Sequence, residues 1–322
     1  MLLSGTRTIL ATSFKSNWGA SVTLTIYCVL TFLVSLAGGW LPLVIRLTHQ
    51  RMQIALSFVA GVMLGVGLLH LLPHSYSETG SIDQTMLWVL AGFLVMFFMQ
   101  RLLHFHHHEA AEEDATAAEL THNHAHDHTA HHHAGHAHGG RQSPHGPYAW
   151  IGAFFGLALH SLIDGIALAA GVEAEMHGQT ALAWAGLGTF LAVALHKPFD
   201  SLTIGTLMSA SGLSPALRHT MNVLFGLMTP LGALAFAITH QSSVGEDPAI
   251  VGAALGFAAG TFLCIATSDL LPELHFHSHD RIKLSLALLA GIGLAWVIML
   301  VESRGHEHHH NGPARQQAVA AQ

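Results

Sequence analysis

Charge is scarce in this chain. Of 322 residues, 12 are Lys or Arg and 19 are Asp or Glu, 10% together, against 51% hydrophobic residues. Soluble domains carry about 25% charged residues, so a water-facing shell around the whole chain is excluded. Cysteine is nearly missing, with Cys28 and Cys264 alone. That excludes a disulfide framework and a thiolate cluster, and both cysteines read as small apolar core residues. No phosphate-binding G-x-x-x-x-G-K-[ST] loop is present, which argues against ATP-driven pumping, and no apolar window holds the H-E-x-x-H pair of zinc hydrolases. A formal net charge of −7 with dispersed basic residues leaves no face for nucleic acid.

Long apolar runs, by contrast, are plentiful, and the mean hydropathy is +0.46. Windows of membrane length recur at about 21–45, 54–74, 84–103, 149–172, 181–209, 216–239, 249–273 and 282–302. The expected fold class is an all-α membrane protein of eight transmembrane helices. The expected organisation is an N-terminal tail (1–20), helices 1–3 (21–103), a loop (104–147), helices 4–8 (148–302) and a C-terminal tail (303–322). The first apolar run is too long for a signal-peptide core and has no small-residue cleavage site, so it reads as a retained helix.

Lys and Arg set the threading. Arg46 and Arg51 follow helix 1, Arg101 and Arg141 follow helix 3, Arg218 follows helix 5, and Arg281 and Lys283 follow helix 7. The alternate loops contain neither residue and carry Glu78, Asp83, Glu173, Glu175, Glu246 and Asp247. Under the positive-inside rule this alternation fits eight spans with both termini outside and the 104–147 loop in the cytoplasm. Short loops and the absence of a cleaved leader suggest a bacterial inner membrane.

Residues 57–74, SFVAGVMLGVGLLHLLPH, resemble 256–273, GFAAGTFLCIATSDLLPE. His70 aligns with Asp269 and His74 with Glu273, on helices threaded in opposite directions. An inverted repeat relating helices 1–3 to 6–8 around helices 4 and 5 is expected, as in secondary transporters. Residues 104–147 hold 14 of the 29 histidines and no apolar periodicity. They read as a disordered cytosolic metal buffer or sensor, or as a solvated tail. Disordered ligands fix no geometry, so the transport site must lie elsewhere.

It is expected in helices 4 and 5. His160 with Asp164 and His196 with Asp200 are each spaced i, i+4, so each pair shares one helix face. Leaving Asp164, Lys197 and Asp200 without partners at the bilayer centre would cost on the order of 9 kcal/mol. Two imidazoles and two carboxylates suit a divalent transition metal. Pro198 frees the Ala194 carbonyl within helix 5, and Gly165 allows close helix approach.

These residues resemble the ZIP (Zrt-, Irt-like protein) metal transporters. HSLIDG at 160–165 is similar to the family's helix-4 signature, and HKPFDS at 196–201 to a variant of its helix-5 signature. The GG-x-L-P run at 38–42, AGVML at 60–64 and DLLPE at 269–273 also look like family features. The resemblance implies a metal site of Met63, His160, Asp164, His196 and Asp200. It implies a pathway past His70 and His74 toward Asp269 and Glu273. It also implies sliding of helices 1, 4, 5 and 6 against 2, 3, 7 and 8.

The chain departs from the family pattern at Ser161, Lys197 and Thr229, where a second metal site would stand. Lys197 then supplies a counter-charge to a single-metal site, unless it turns to a helix end and only packs. The expected function is uptake of a divalent metal, zinc first, with Fe2+, Mn2+ and Cd2+ open. No prosthetic group and no enzymatic activity are expected; the partners are the ion, the bilayer and a second copy in a homodimer. A cation-diffusion exporter, an intramembrane zinc hydrolase and a receptor-like sensor are the alternatives.

Overall fold

The computed structural model describes residues 21–40, 48–120, 149–177, 185–240, 247–276 and 281–310. Side chains at 49, 102–120, 149, 177, 269–276 and 302–310 lie outside that description. Among the described residues the chain is all helical. α1 spans Ser21–Trp40. α2 joins His49–Val66, a π-helical turn Gly67–Leu71 and Leu72–Thr79 into one rod. Then follow α3 (Ile82–Leu120), α4 (Ala149–His177), α5 (Leu187–Ala210), α6 (Pro215–His240), α7 (Pro248–Phe276) and α8 (Arg281–His310).

The described residues of each of the eight apolar windows lie on a helix, apart from the turn at 185–186. Several helices outrun their windows because a helix continues through polar residues that hydropathy alone assigns to loops. α3 continues to Leu120, into the His-rich segment; residues 121–148 lie outside the described residues. Among the described residues, seven helices are long and apolar enough to cross a membrane. α5 is the exception, since His196, Lys197, Asp200 and several Ser and Thr residues dilute its apolar content.

The π-helical turn in α2 has a local cause. Pro73 has no N–H, so the carbonyl four residues before it loses its α-helical donor. The backbone widens, and the Leu72 N–H bonds the Gly67 carbonyl instead. Gly80 ends α2 with φ 64 and its N–H on the Tyr76 carbonyl, a conformation that glycine adopts without strain.

The outside of the bundle is apolar. Leu87, Phe98, Ile282, Leu286 and Val301 on α3 and α8 are exposed. The inside holds Gln53, His70, His160, Asp164, His196 and Lys197. A lipid solvent favours this arrangement, because it wets apolar surface and leaves polar groups to find each other. The helix ends differ in charge. Arg51, Arg101, Arg218 and Arg281 sit at one end, which we term the basic end. Glu78, Glu173 and Glu175 sit at the other, the acidic end.

Reciprocal glycines make the closest crossings. A Cβ on Gly61 would strike the Leu288 carbonyl, and one on Gly291 the Phe58 carbonyl, where α2 crosses α8. Gly92 meets Phe257 and Gly260 meets Val89 where α3 crosses α7. Gly165 meets Thr229 and Gly232 meets Leu162 where α4 crosses α6. At each crossing the contacted carbonyl lies three residues before the facing glycine. Where α1 meets α5, Gly38 faces the Pro198 backbone, and Ser201 takes the reciprocal position with its hydroxyl 2.8 Å from that of Ser35. Such contact brings backbones together without a hydrophobic driving force.

A side chain at Gly92 would overpack the α3–α7 crossing. Gly92→Val is expected to lower stability by about 1–3 kcal/mol, read as an earlier melt of the detergent-solubilised protein. Gly293 is the control, because a Cβ there would meet nothing within 4 Å. Gly293→Ala should melt at or above the parent temperature, by up to about 1 kcal/mol of helix propensity. Equal melting of the two variants would refute close packing at Gly92.

Candidate metal centre

α4 and α5 bring the two His–Asp faces together. One coordinating atom each from His160, Asp164, His196 and Asp200 lies within 4.8 Å of the others. Asp164 Oδ2 is the hub: His196 Nε2 is 3.2 Å from it, His160 Nε2 3.4 Å and Lys197 Nζ 2.9 Å. Asp200 Oδ2 lies 3.9 Å from His160 Nε2 and 3.8 Å from His196 Nε2. Asp164 and Lys197 are fully buried, whereas the Asp200 side chain is 19% exposed.

Two helical facts set this geometry. The i, i+4 spacing stacks His over Asp on each helix, and the Gly165 crossing lets α6 sit tightly against the back of α4. The His196 ring is held by its own helix, since Nδ1–H donates to the Ala192 carbonyl at 2.7 Å. In the neutral ring this leaves the Nε2 lone pair facing carboxylate oxygens. Such an arrangement is repulsive unless a proton or a metal cation lies between the atoms. A histidine whose other nitrogen is anchored in this way is a common feature of metal sites.

Lys197 turns into the cluster and not to a helix end. Its ammonium pairs with Asp164 and stands 5.3 Å from the centre of the Phe225 ring. Ser161 Oγ, Thr229 Oγ1 and Asp164 Oδ1 are also buried without a hydrogen-bond partner. With neutral imidazoles, two aspartates and one lysine sum to −1, and a divalent cation would bring the cluster to +1.

Other expected residues are placed as follows. Met63 is buried in the main apolar core with Ala192, Val193 and Phe262. His70 and His74 lie on α2 at the acidic end, with ring centres 4.9 Å apart. Asp269 and Glu273 fall on the last turns of α7, and their side chains lie outside the described residues. Glu175, expected only as a loop acid, is drawn to the histidines: its Oε1 is 2.9 Å from His70 Nε2. Sequence separation hid this, for the partners are 105 positions apart in the chain. Pro230, next to Thr229, is a second helix-interior proline that the motif pattern did not single out.

A cavity of about 460 Å³ opens at the basic end, between the ends of α1 and α5 and the start of α6. Gly39, Thr206, Ser209, His219 and Asn222 line it.

A family model described as "ZIP Zinc transporter" matches residues 22–299. The chain belongs to the ZIP zinc transporter family. It is 25% identical to "Zinc transporter ZIP9-B" of Xenopus laevis over 308 residues, covering 84% of this chain and 93% of that protein. It is 27% identical to "Zinc transporter ZIP1" of Bos taurus over 271 residues, covering 79% and 80%. It is 28% identical to "Zinc transporter zipt-7.1" of Caenorhabditis briggsae, covering 84% and 77%. Membership in the ZIP family agrees with a multi-pass membrane protein that moves a divalent metal.

Removing the ammonium tests the Asp164–Lys197 pair. Breaking a buried ion pair costs about 3–5 kcal/mol, so Lys197→Gln should melt markedly earlier without metal. Added Zn2+ should recover more stability in this variant than in the parent, because the cluster is then one charge more negative. Equal metal-free melting of variant and parent would show that the pair contributes little.

Proposed function

We propose that the chain carries zinc into the cytoplasm through one intramembrane site of Met63, His160, Asp164, His196 and Asp200. The observation that carries this reading is the convergence of two imidazoles and two carboxylates in a largely buried cluster. Imidazole and carboxylate donors suit Zn2+, and Fe2+, Mn2+ and Cd2+ remain competing substrates. Lys197 supplies the counter-charge that replaces a second metal. The fixed ammonium raises the ion-bound cluster from neutral to +1, which keeps the ion releasable.

The direction follows from threading. With the basic end in the cytoplasm and both termini outside, the acidic end faces the source of metal. An inside-negative potential then favours divalent entry by roughly 4–5 kcal/mol per 100 mV. A bacterial inner membrane fits this arrangement. The ion passes His70 and His74, reaches the central site and leaves through the basic-end cavity toward Asp269, Glu273 and the His-rich segment, which buffers it.

Movement is elevator-like. The four close crossings pair α1 with α5, α4 with α6, α2 with α8 and α3 with α7. All fall within one of two groups: α1, α4, α5 and α6, or α2, α3, α7 and α8. Backbone-to-backbone locking within each group makes each a rigid unit and leaves the boundary between them free to slide. The matching crossings also support an inverted repeat that exchanges α2 with α7 and α3 with α8. Gly61 and Gly260 are aligned in the two repeats and make the same contact, each with the third carbonyl before a facing glycine. A homodimer built on α3 and α8 would use their exposed apolar faces.

The test is isotope uptake into sealed proteoliposomes with an imposed potential. His160→Ala and Asp200→Ala should each reduce zinc uptake at least tenfold while leaving the protein folded. Unchanged uptake in both variants would remove the central site from the mechanism, and flux against the imposed potential would assign an exporter.

A further inference from the structure

At the acidic end, His70, His74 and Glu175 offer three coordinating atoms within 4.8 Å of one another. They do not belong to the central cluster. Glu175 and Asp164 lie on the same helix eleven residues apart, about 16 Å at the helical rise of 1.5 Å per residue. His70 and Glu175 are buried, at 5% and 8% side-chain exposure. His74 is half-buried, and its ring centre is 4.9 Å from that of His70.

The cluster has a built scaffold. The π-helical turn at Gly67–Leu71 places His70, and the resumed α-helix places His74 one turn on. Single π-helical turns recur at functional sites because they re-aim side chains that a regular helix would send elsewhere. The His70 ring also seats against Gly188 in the first turn of α5, where a Cβ would come within 3.1 Å of it. This contact differs from the close glycine crossings. Those lock backbones within each helix group, whereas His70 reaches from α2 to α4 and α5 across the boundary between the groups.

We infer that His70, His74 and Glu175 form a second divalent-metal site that clamps α2 to the α4–α5 hairpin at the acidic end. Two imidazoles and one carboxylate provide three ligands, the number found where a fourth position stays open to water or exchange. An open position suits an ion that stops and leaves, not a structural ion. The ligands come from both helix groups, so the site is complete only while the groups hold this arrangement. By linkage, an ion bound there favours the arrangement in which it binds. Filling the site therefore holds α2 against the α4–α5 hairpin. The inference rests on the transporter reading for its role, but the site's existence is tested independently of it.

The experiment uses the full chain in lipid nanodiscs, with cobalt(II) as probe. Low-coordinate cobalt absorbs in the visible, and the His-rich segment contributes equally to every variant, so difference spectra cancel it. Glu175→Gln keeps size and hydrogen bonding but removes the carboxylate; His74→Ala removes a half-buried ring with little packing. Each is expected to erase the same absorption component and weaken that site more than about 100-fold, beyond the loss caused by outer-shell changes. His160→Ala with Asp200→Ala should erase a different component, and the combined variant should lose both. Metal-free melting of Glu175→Gln should stay within a few degrees of the parent, and its stabilisation by cobalt should fall.

If Glu175→Gln and His74→Ala both leave the spectrum unchanged, the acidic-end site is overturned, whatever the central variants do. If only the central variants leave it unchanged, the central-site reading fails and the acidic-end site stands. If Glu175→Gln does not fold, the His74→Ala spectrum alone decides.

Discussion

Carboxylates held at membrane depth govern this structure. Asp164 is fully buried, and hydrocarbon offers it neither water nor counter-ion. Its compensation is local: one ammonium and two imidazole nitrogens within 3.4 Å of a single oxygen. Lys197 is equally dependent on Asp164, because the face of Phe225 offers its ammonium much weaker compensation. The pair is balanced only while α4 and α5 stay in register. Everything that keeps these helices in register therefore serves the site, including the Gly165 crossing with α6 and the Ser35–Ser201 contact of α1 with α5.

The same constraint separates two kinds of adhesion. Lipid tails are as apolar as leucine, so no hydrophobic force drives these helices together. Backbone proximity at glycines replaces it, within α1, α4, α5 and α6 on one side and α2, α3, α7 and α8 on the other. Across the boundary the contacts are made by side chains instead. The Phe262 ring meets the His196 ring, and the His70 ring reaches Glu175 and Gly188. Side-chain contacts can break and reform without disturbing a helix backbone. The polar ones among them, His70 with Glu175 and His196, belong to clusters of groups that could hold a metal ion.

Prolines contribute in a way that helix propensity alone would not suggest. Pro73 opens a π-helical turn that aims His70 at the acidic-end cluster. Pro198 lies between His196 and Asp200 without ending α5, and Pro230 lies within α6 beside Thr229. Neighbouring helices supply the packing that water would otherwise have to replace. All three prolines stand within a few residues of a polar cluster, where a loosened backbone costs least and helps most.

The all-helical character, the His–Asp pairs and the family were legible in the sequence, because they depend on local properties. Apolar runs of membrane length must be helices in lipid, and a spacing of four residues must place His and Asp on one face. The residues His160, Asp164, His196 and Asp200 could therefore be named before their contact was known. The orientation of Lys197 was not legible, since a long side chain can reach a helix end or a neighbour, and only packing against Phe225 and Asp164 chooses. Glu175 as a partner of His70 was not legible either. Nothing in the sequence across that separation of 105 positions encodes the meeting, which follows from how α2, α4 and α5 pack. The order of residues alone settled which groups are too costly to leave unpartnered in a membrane. Which of them find each other was settled by the packing of helices distant in the chain, because that choice is made by distance and not by chemistry.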